Sequence, residues 1–140
     1  MDINFRKIIL SAVTIIVAAG GYWYAQSLFS DKISFDEQLI KISEQINQNC
    51  PMVIDSETRL DNTIGGPGKM FMYNYTLVNM SKDEIDIPQF KTYIEPRVIN
   101  NARTNNDMRS FRDNKVEMVY KYFDKNGVFV FDVRVLPDHY

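Results

Sequence analysis

Asp55, Glu57, Arg59 and Asp61 alternate along the chain, so in an extended segment all four side chains project from one face. Carboxylates paired at that spacing can do general acid and base work or hold a hard cation. Arg59 sits among the acids, which favours a charge-neutralising structural pair or a partner contact over a catalyst. A second group is basic: over residues 97 to 115, Arg97, Arg103, Arg109, Arg112 and Lys115 are opposed only by Asp107 and Asp113. Arginine grips carboxylates and phosphates with a bidentate fork, so this ridge could receive an acidic partner or lipid head groups, or could be a solvated face. The candidate partner-binding residues are therefore Asp55, Glu57, Arg59, Asp61, Arg97, Arg103, Arg109 and Arg112.

Other chemistries lack their parts. One His and one Cys are too few for a Cys/His zinc site. His139 lies one residue from the C-terminus, where chain ends are usually mobile. A thiolate–imidazole pair or a hydrolase triad would have to use it, and no Gly-x-Ser-x-Gly elbow precedes it. The run Gly65-Gly66-Pro67-Gly68-Lys69 invites comparison with a phosphate-binding loop. Thr63 stands in place of its first Gly, Met70 replaces its Ser or Thr, and Pro67 removes an N–H donor, so the run reads as a tight loop between strands. Cys50, just before Pro51, suits a small buried hydrophobe, with pairing to a partner or a reactive thiol as alternatives. The expectation is a protein that is not an enzyme, with no catalytic residue, metal ligand or cofactor.

The elements that would position these groups follow from periodicity. Ile8 to Phe29 carry no charge, and at about 1.5 Å per residue the run reaches about 33 Å, enough to cross a hydrocarbon core of about 30 Å. Arg6 and Lys7 precede it and basic residues stay inside. The expected organisation is a cytoplasmic N-terminus over 1–7, a transmembrane helix over 8–29 and a periplasmic domain over 30–140, in a single-pass protein of the bacterial inner membrane. A cleaved signal peptide is the rival reading, with Ala18 and Gly20 or Ala25 and Ser27 at the cleavage site. Tyr22, Trp23 and Tyr24 suit a membrane interface and favour the anchor.

Beyond the run, Ser34 and Glu37 form a capping box ahead of an apolar stripe at Phe35, Leu39, Ile42 and Ile46, which predicts a helix over 35–49. Pro51 ends it. A short strand begins at Met52 to Ile54 and continues through Thr58 to Leu60, and Asp61 to Lys69 is a loop. Residues 70–78 read as a strand with Phe71, Tyr73, Tyr75 and Leu77 on one face. Pro88 opens a helix that Pro96 breaks or kinks, followed by a second helix over 97–104. Residues 115–124 and 128–136 form a hairpin around Lys125-Asn126-Gly127, with Phe129, Phe131, Val133 and Val135 as an apolar face. The predicted fold class is α+β: a transmembrane helix, then a small antiparallel sheet of about four strands with helices packed on one face. A net charge near −2 gives no reason to expect nucleic acid.

The segment Cys50-Pro51-Met52-Val53-Ile54-Asp55-Ser56-Glu57-Thr58-Arg59-Leu60-Asp61 is followed by Gly66-Pro67-Gly68, by Tyr73-Asn74-Tyr75 and by a closing Tyr120 to Gly127 hairpin. Together these motifs resemble an uncharacterised family of small bacterial envelope proteins over roughly residues 45 to 136. The resemblance implies bacterial origin, export and tethering by an N-terminal helix or lipid. Many members carry a Cys pair in the C-terminal half, which this chain lacks. The expected function is a membrane-anchored periplasmic module that binds another envelope protein, as an accessory or assembly subunit of an envelope complex. Confinement to one membrane would raise the effective concentration of such a low-affinity module. The alternatives are an immunity-type inhibitor of a toxic envelope enzyme, plugged by residues 55–61 or 97–115, and a small ligand-binding domain with an aromatic pocket near Tyr73, Tyr75, Tyr120 and Tyr122.

Overall fold

A computed structural model describes residues 33–140, and the expected segments 1–7 and 8–29 lie outside them. Helix α1 (Phe35–Asn47) begins as the sequence requires: the Glu37 N–H donates to Ser34 Oγ at 3.2 Å and the Ser34 N–H to Glu37 Oε2 at 3.0 Å. There follow β1 (Met52–Val53), β2 (Thr58–Gly66), β3 (Met70–Leu77), α2 (Ile87–Thr104), α3 (Arg109–Asp113), β4 (Glu117–Phe123) and β5 (Phe129–Val135). The strands form one sheet in the order β1-β2-β3-β4-β5. Neighbours are antiparallel except β3 and β4, which are parallel, so α2 and α3 make up the crossover such a pair demands.

The predicted fold class is thus corrected to a mixed five-stranded sheet in place of about four antiparallel strands. Among the described residues no helix is long and apolar enough to cross a membrane. The α+β fold observed thus contains no membrane-spanning helix, and the expected span 8–29 lies outside the described residues.

Two readings fail for identifiable reasons. The segment 61–69 is mostly strand, because Gly65 serves a close approach and not a loop: a Cβ there would lie 2.1 Å from the Leu39 carbonyl oxygen of α1. Asn47, at the other end of α1, donates from Nδ2 to the Thr63 carbonyl at 2.8 Å and accepts the Thr63 N–H at 2.7 Å, standing in for a neighbouring strand where β1 has ended. Pro96 sits on the exposed side of an unbroken α2, where carbonyls deprived of a donor can meet water, and Arg97 Nη1 donates to the Tyr93 carbonyl at 2.9 Å.

All described helices bury their apolar stripes on one face of the sheet, where Leu39, Ile42 and Ile46 from α1 and Phe90, Ile94, Val98 and Ala102 from α2 join the strands. At the centre is an aromatic ladder. Tyr73 stacks on Tyr120 with centroids 4.9 Å apart, and Tyr75 stacks on Tyr122 at 5.3 Å. Tyr122 stacks in turn on Phe131 at 4.9 Å, with Phe90 edge-on to that pair. The register skips Val130, so Val130 turns inward and Phe129, expected on the apolar face, is 44% exposed.

The β4–β5 turn hangs on Asp124, which is buried. Its Oδ1 accepts the N–H groups of Asn126 and Val128, each at 2.8 Å, and its Oδ2 that of Lys82 at 2.9 Å. Burial pushes the carboxyl up, but the N–H groups of Val128, Lys82 and Asn126 outweigh it and hold it below the usual carboxylate range. Because the folded value is depressed, this stabilisation is present above the unfolded value near pH 4 and is lost as pH falls through the folded one. Urea midpoints measured between pH 7 and 2 should therefore drop below about pH 4. Asp124→Ala should be less stable at pH 7 and show a flatter acid limb; an unchanged acid limb would exclude this role.

Candidate partner-binding surface

The structure separates the four alternating residues. Asp55 and Glu57 precede β2. Asp55 Oδ1 accepts the N–H groups of Glu57 at 2.7 Å and Thr58 at 2.9 Å, closing the β1–β2 turn, and Glu57 Oε2 accepts from Asn79 Nδ2 at 2.7 Å. Only Arg59 and Asp61 meet: Nε lies 2.6 Å from Oδ1, and Thr76 Oγ1 donates to the other Asp61 oxygen. Asp61 is the extra residue of a bulge between Leu60 and Asn62, which turns it to the same side as Arg59.

The basic ridge is dispersed as well. Arg97 lies over the Tyr93 ring, its Cζ 3.3 Å from the centroid. Arg112 Nη1 donates to the carbonyls of Ala102 and Asn105, each at 2.7 Å, and so closes the end of α2. Arg103 Nη2 donates to the His139 carbonyl at 2.6 Å, pinning the chain end together with Tyr140 Oη, which donates to the Val116 carbonyl at 2.6 Å. Arg109 is the most open, with Asp113 at 3.7 Å.

The glycine-rich loop does cradle an anion, one the chain supplies: Asp36 accepts the N–H groups of Gly68 at 3.1 Å and Lys69 at 2.9 Å, both residues having positive φ. Sequence reasoning missed this contact and that of Asn47, because each bridges segments far apart along the chain. Cys50 is half-buried against the core. Burial, then the Asp61 charge, pushes its thiol up, away from a reactive thiolate. Among the described residues no group of three or more His, Cys, Asp or Glu is placed to hold a metal ion.

No described helix packs on the second face of the sheet, where Val119 and Thr76 are nonetheless buried while Val53, Ile64 and Phe129 are exposed. The side chains of this face line up in rows given by the strand register. One row crosses all five strands as Val53, Arg59, Thr76, Phe123 and Phe129. Val53 is 75% exposed at one end, Phe129 stands edge-on to Phe123 at the other, and the Arg59–Asp61 pair lies between. The next row is Asn62, Asn74, Lys121 and Asp132, and beyond it come Ile64, Met72, Val119 and Arg134. Arg134 reaches Glu117 at 3.1 Å and Asp132 at 3.7 Å.

A sequence profile described as "Domain of unknown function (DUF8479)" matches residues 34–130. No curated protein matches the sequence. Among solved structures, a candidate secreted protein from Pseudomonas aeruginosa has the same fold with a TM-score of 0.58 at 12% identity, over 76% of this chain and 97% of that one. The pilotin EpsS of the Vibrio vulnificus type 2 secretion system aligns with a TM-score of 0.60 at 7% identity, over 74% of this chain and 89% of its own. The type II pilotin AspS of Vibrio cholerae aligns at 0.56 and 10% identity, over 75% and 91%. The likeness is to a candidate secreted protein and to pilotins, which corrects the single-pass inner-membrane location expected from the sequence.

Proposed function

Since this chain belongs to the family described as a domain of unknown function (DUF8479), we propose that its members' shared domain is a protein-binding module, here an accessory or assembly component of a bacterial envelope complex. The carrying observation is the open sheet face. Its five-strand row ends in exposed apolar side chains, Val53 and Phe129, with the Arg59–Asp61 pair between them beside Val53, the make-up of a contact patch whose apolar anchors exclude water around a polar pair. The pilotin fold of secretion systems supports the same reading, as does the resemblance of residues 50–61 to envelope proteins. The module acts by binding another envelope protein and not by turnover.

The test is photo-crosslinking in cells from a reactive side chain placed at Val53 or Phe129, with Ile40 on the outer surface of α1 as the control position. Adducts with one envelope-assembly protein from Val53 and Phe129, and none from Ile40, are expected. Adducts from Ile40 alone, or from none of the three, would overturn the assignment of this face. A single envelope enzyme captured and inhibited would replace the assembly role with that of an immunity-type inhibitor.

A further inference from the structure

The two edges of the sheet are protected unequally. On the β1 side, the strand itself covers the start of β2, and Asn47 occupies the backbone of Thr63 beyond it. On the other side lies β5. Among the described residues, no hydrogen bond reaches its backbone except those of the β4–β5 ladder. An open edge is a template for another strand, and chains usually guard it with charges. The charges here are Asp132 and Arg134, both on the open face and flanking Val133.

The bulge at Val130 ends regular pairing, so the straight part of β5 runs from Phe131 to Val135 with Val133 at its centre. A two-fold axis normal to the sheet, midway between Val133 of one copy and Val133 of the other, would set a second β5 antiparallel to the first. Arg134 of each copy would then lie opposite Asp132 of the other, and Phe131 opposite Val135. The guard charges, opposite in sign and two residues apart, therefore complement a second copy of themselves. Within its own chain Arg134 already contacts Glu117 at 3.1 Å and Asp132 at 3.7 Å, and its five N–H donors can also reach Asp132 of a second copy. We infer that this protein self-associates through β5, two copies joining edge to edge about Val133 into one continuous ten-stranded sheet with reciprocal Arg134–Asp132 pairs.

The experiment is sedimentation equilibrium of the full chain in a density-matched detergent, for the wild type, for Asp132→Arg, for Arg134→Asp and for an equimolar mixture of the two variants. Each variant alone sets like charges opposite one another at both pairs. Its dimer dissociation constant should rise by about tenfold or more, since cross-strand charge pairs each contribute a fraction of a kcal/mol to about 1 kcal/mol. In the mixture the introduced arginine faces the introduced aspartate while the native pair is kept, so dimers should return as a heterodimer. A misfolded variant could not be rescued by mixing, which makes the mixture its own folding control. A monomeric wild type would overturn the inference, and so would dimers insensitive to either reversal, because they would use another surface. A wild-type dimer, variants that weaken it while keeping the wild-type circular dichroism and melting, and a mixture that does not recover would equally reject the reciprocal register.

Discussion

Gly65→Ala is expected to cost about 3 kcal/mol or more, the upper range for overpacking a tight contact, and to lower Tm by about 15 °C in a domain of this size. The added Cβ would sit 2.1 Å from the Leu39 carbonyl oxygen and 2.3 Å from its carbon, and both are backbone atoms of α1. A flexible side chain could swing away, but a helix backbone has to move as a body. Moving α1 would strain the Asn47–Thr63 pairing at one end and the Asp36 contacts to Gly68 and Lys69 at the other. Gly66→Ala is the control, since a Cβ there meets nothing nearer than the tip of Met70 at 3.7 Å. Thermal unfolding followed by circular dichroism decides the matter. If the two variants melt together, α1 is not held against β2 in the way described.

Tyr122→Ala should cost about 3 to 5 kcal/mol, the range for deleting a buried aromatic ring, against a typical total stability of about 5 to 15 kcal/mol. Its ring is stacked between Tyr75 and Phe131 and met edge-on by Phe90, so no neighbour can collapse into the space without breaking the ladder. Tyr122→Phe keeps those contacts and should lose about 1 kcal/mol or less. Near-equal stability of the alanine variant and the wild type would show that the ring is not core, and would revive the aromatic ligand pocket.

The same ladder sets alkaline behaviour. Burial, first among the causes, pushes the phenols of Tyr73, Tyr75, Tyr120 and Tyr122 up. Asp55 adds to the shift at Tyr122, and neighbouring tyrosines add at Tyr75 and Tyr120. The folded state thus favours the neutral phenol, so the stabilisation is intact below the unfolded value near pH 10 and is lost as pH rises beyond it. Phenolate absorbance from the ladder should therefore appear only together with loss of circular dichroism.

The sequence by itself determined the features whose causes lie within a few residues. Ser34 and Glu37 fix the start of α1, and the stripe at Leu39, Ile42 and Ile46 is the face it buries. Alternation fixes the inward set Phe71, Tyr73, Tyr75 and Leu77 of β3, and Gly127 supplies the positive φ of the β4–β5 turn. The candidate site was legible only as charges. Tertiary structure alone decided which of them meet: a bulge turned Asp61 toward Arg59, a turn consumed Asp55, and the end of α2 consumed Arg112. It alone made β3 and β4 parallel, extended β2 through the glycines to reach α1, and left one sheet face without a described helix and the β5 edge without a described partner strand. The division is physical. Caps, turns and periodicity act along a chain through bonds and short contacts. Strand partners, close approaches and open edges are set by which distant surfaces come to share a core.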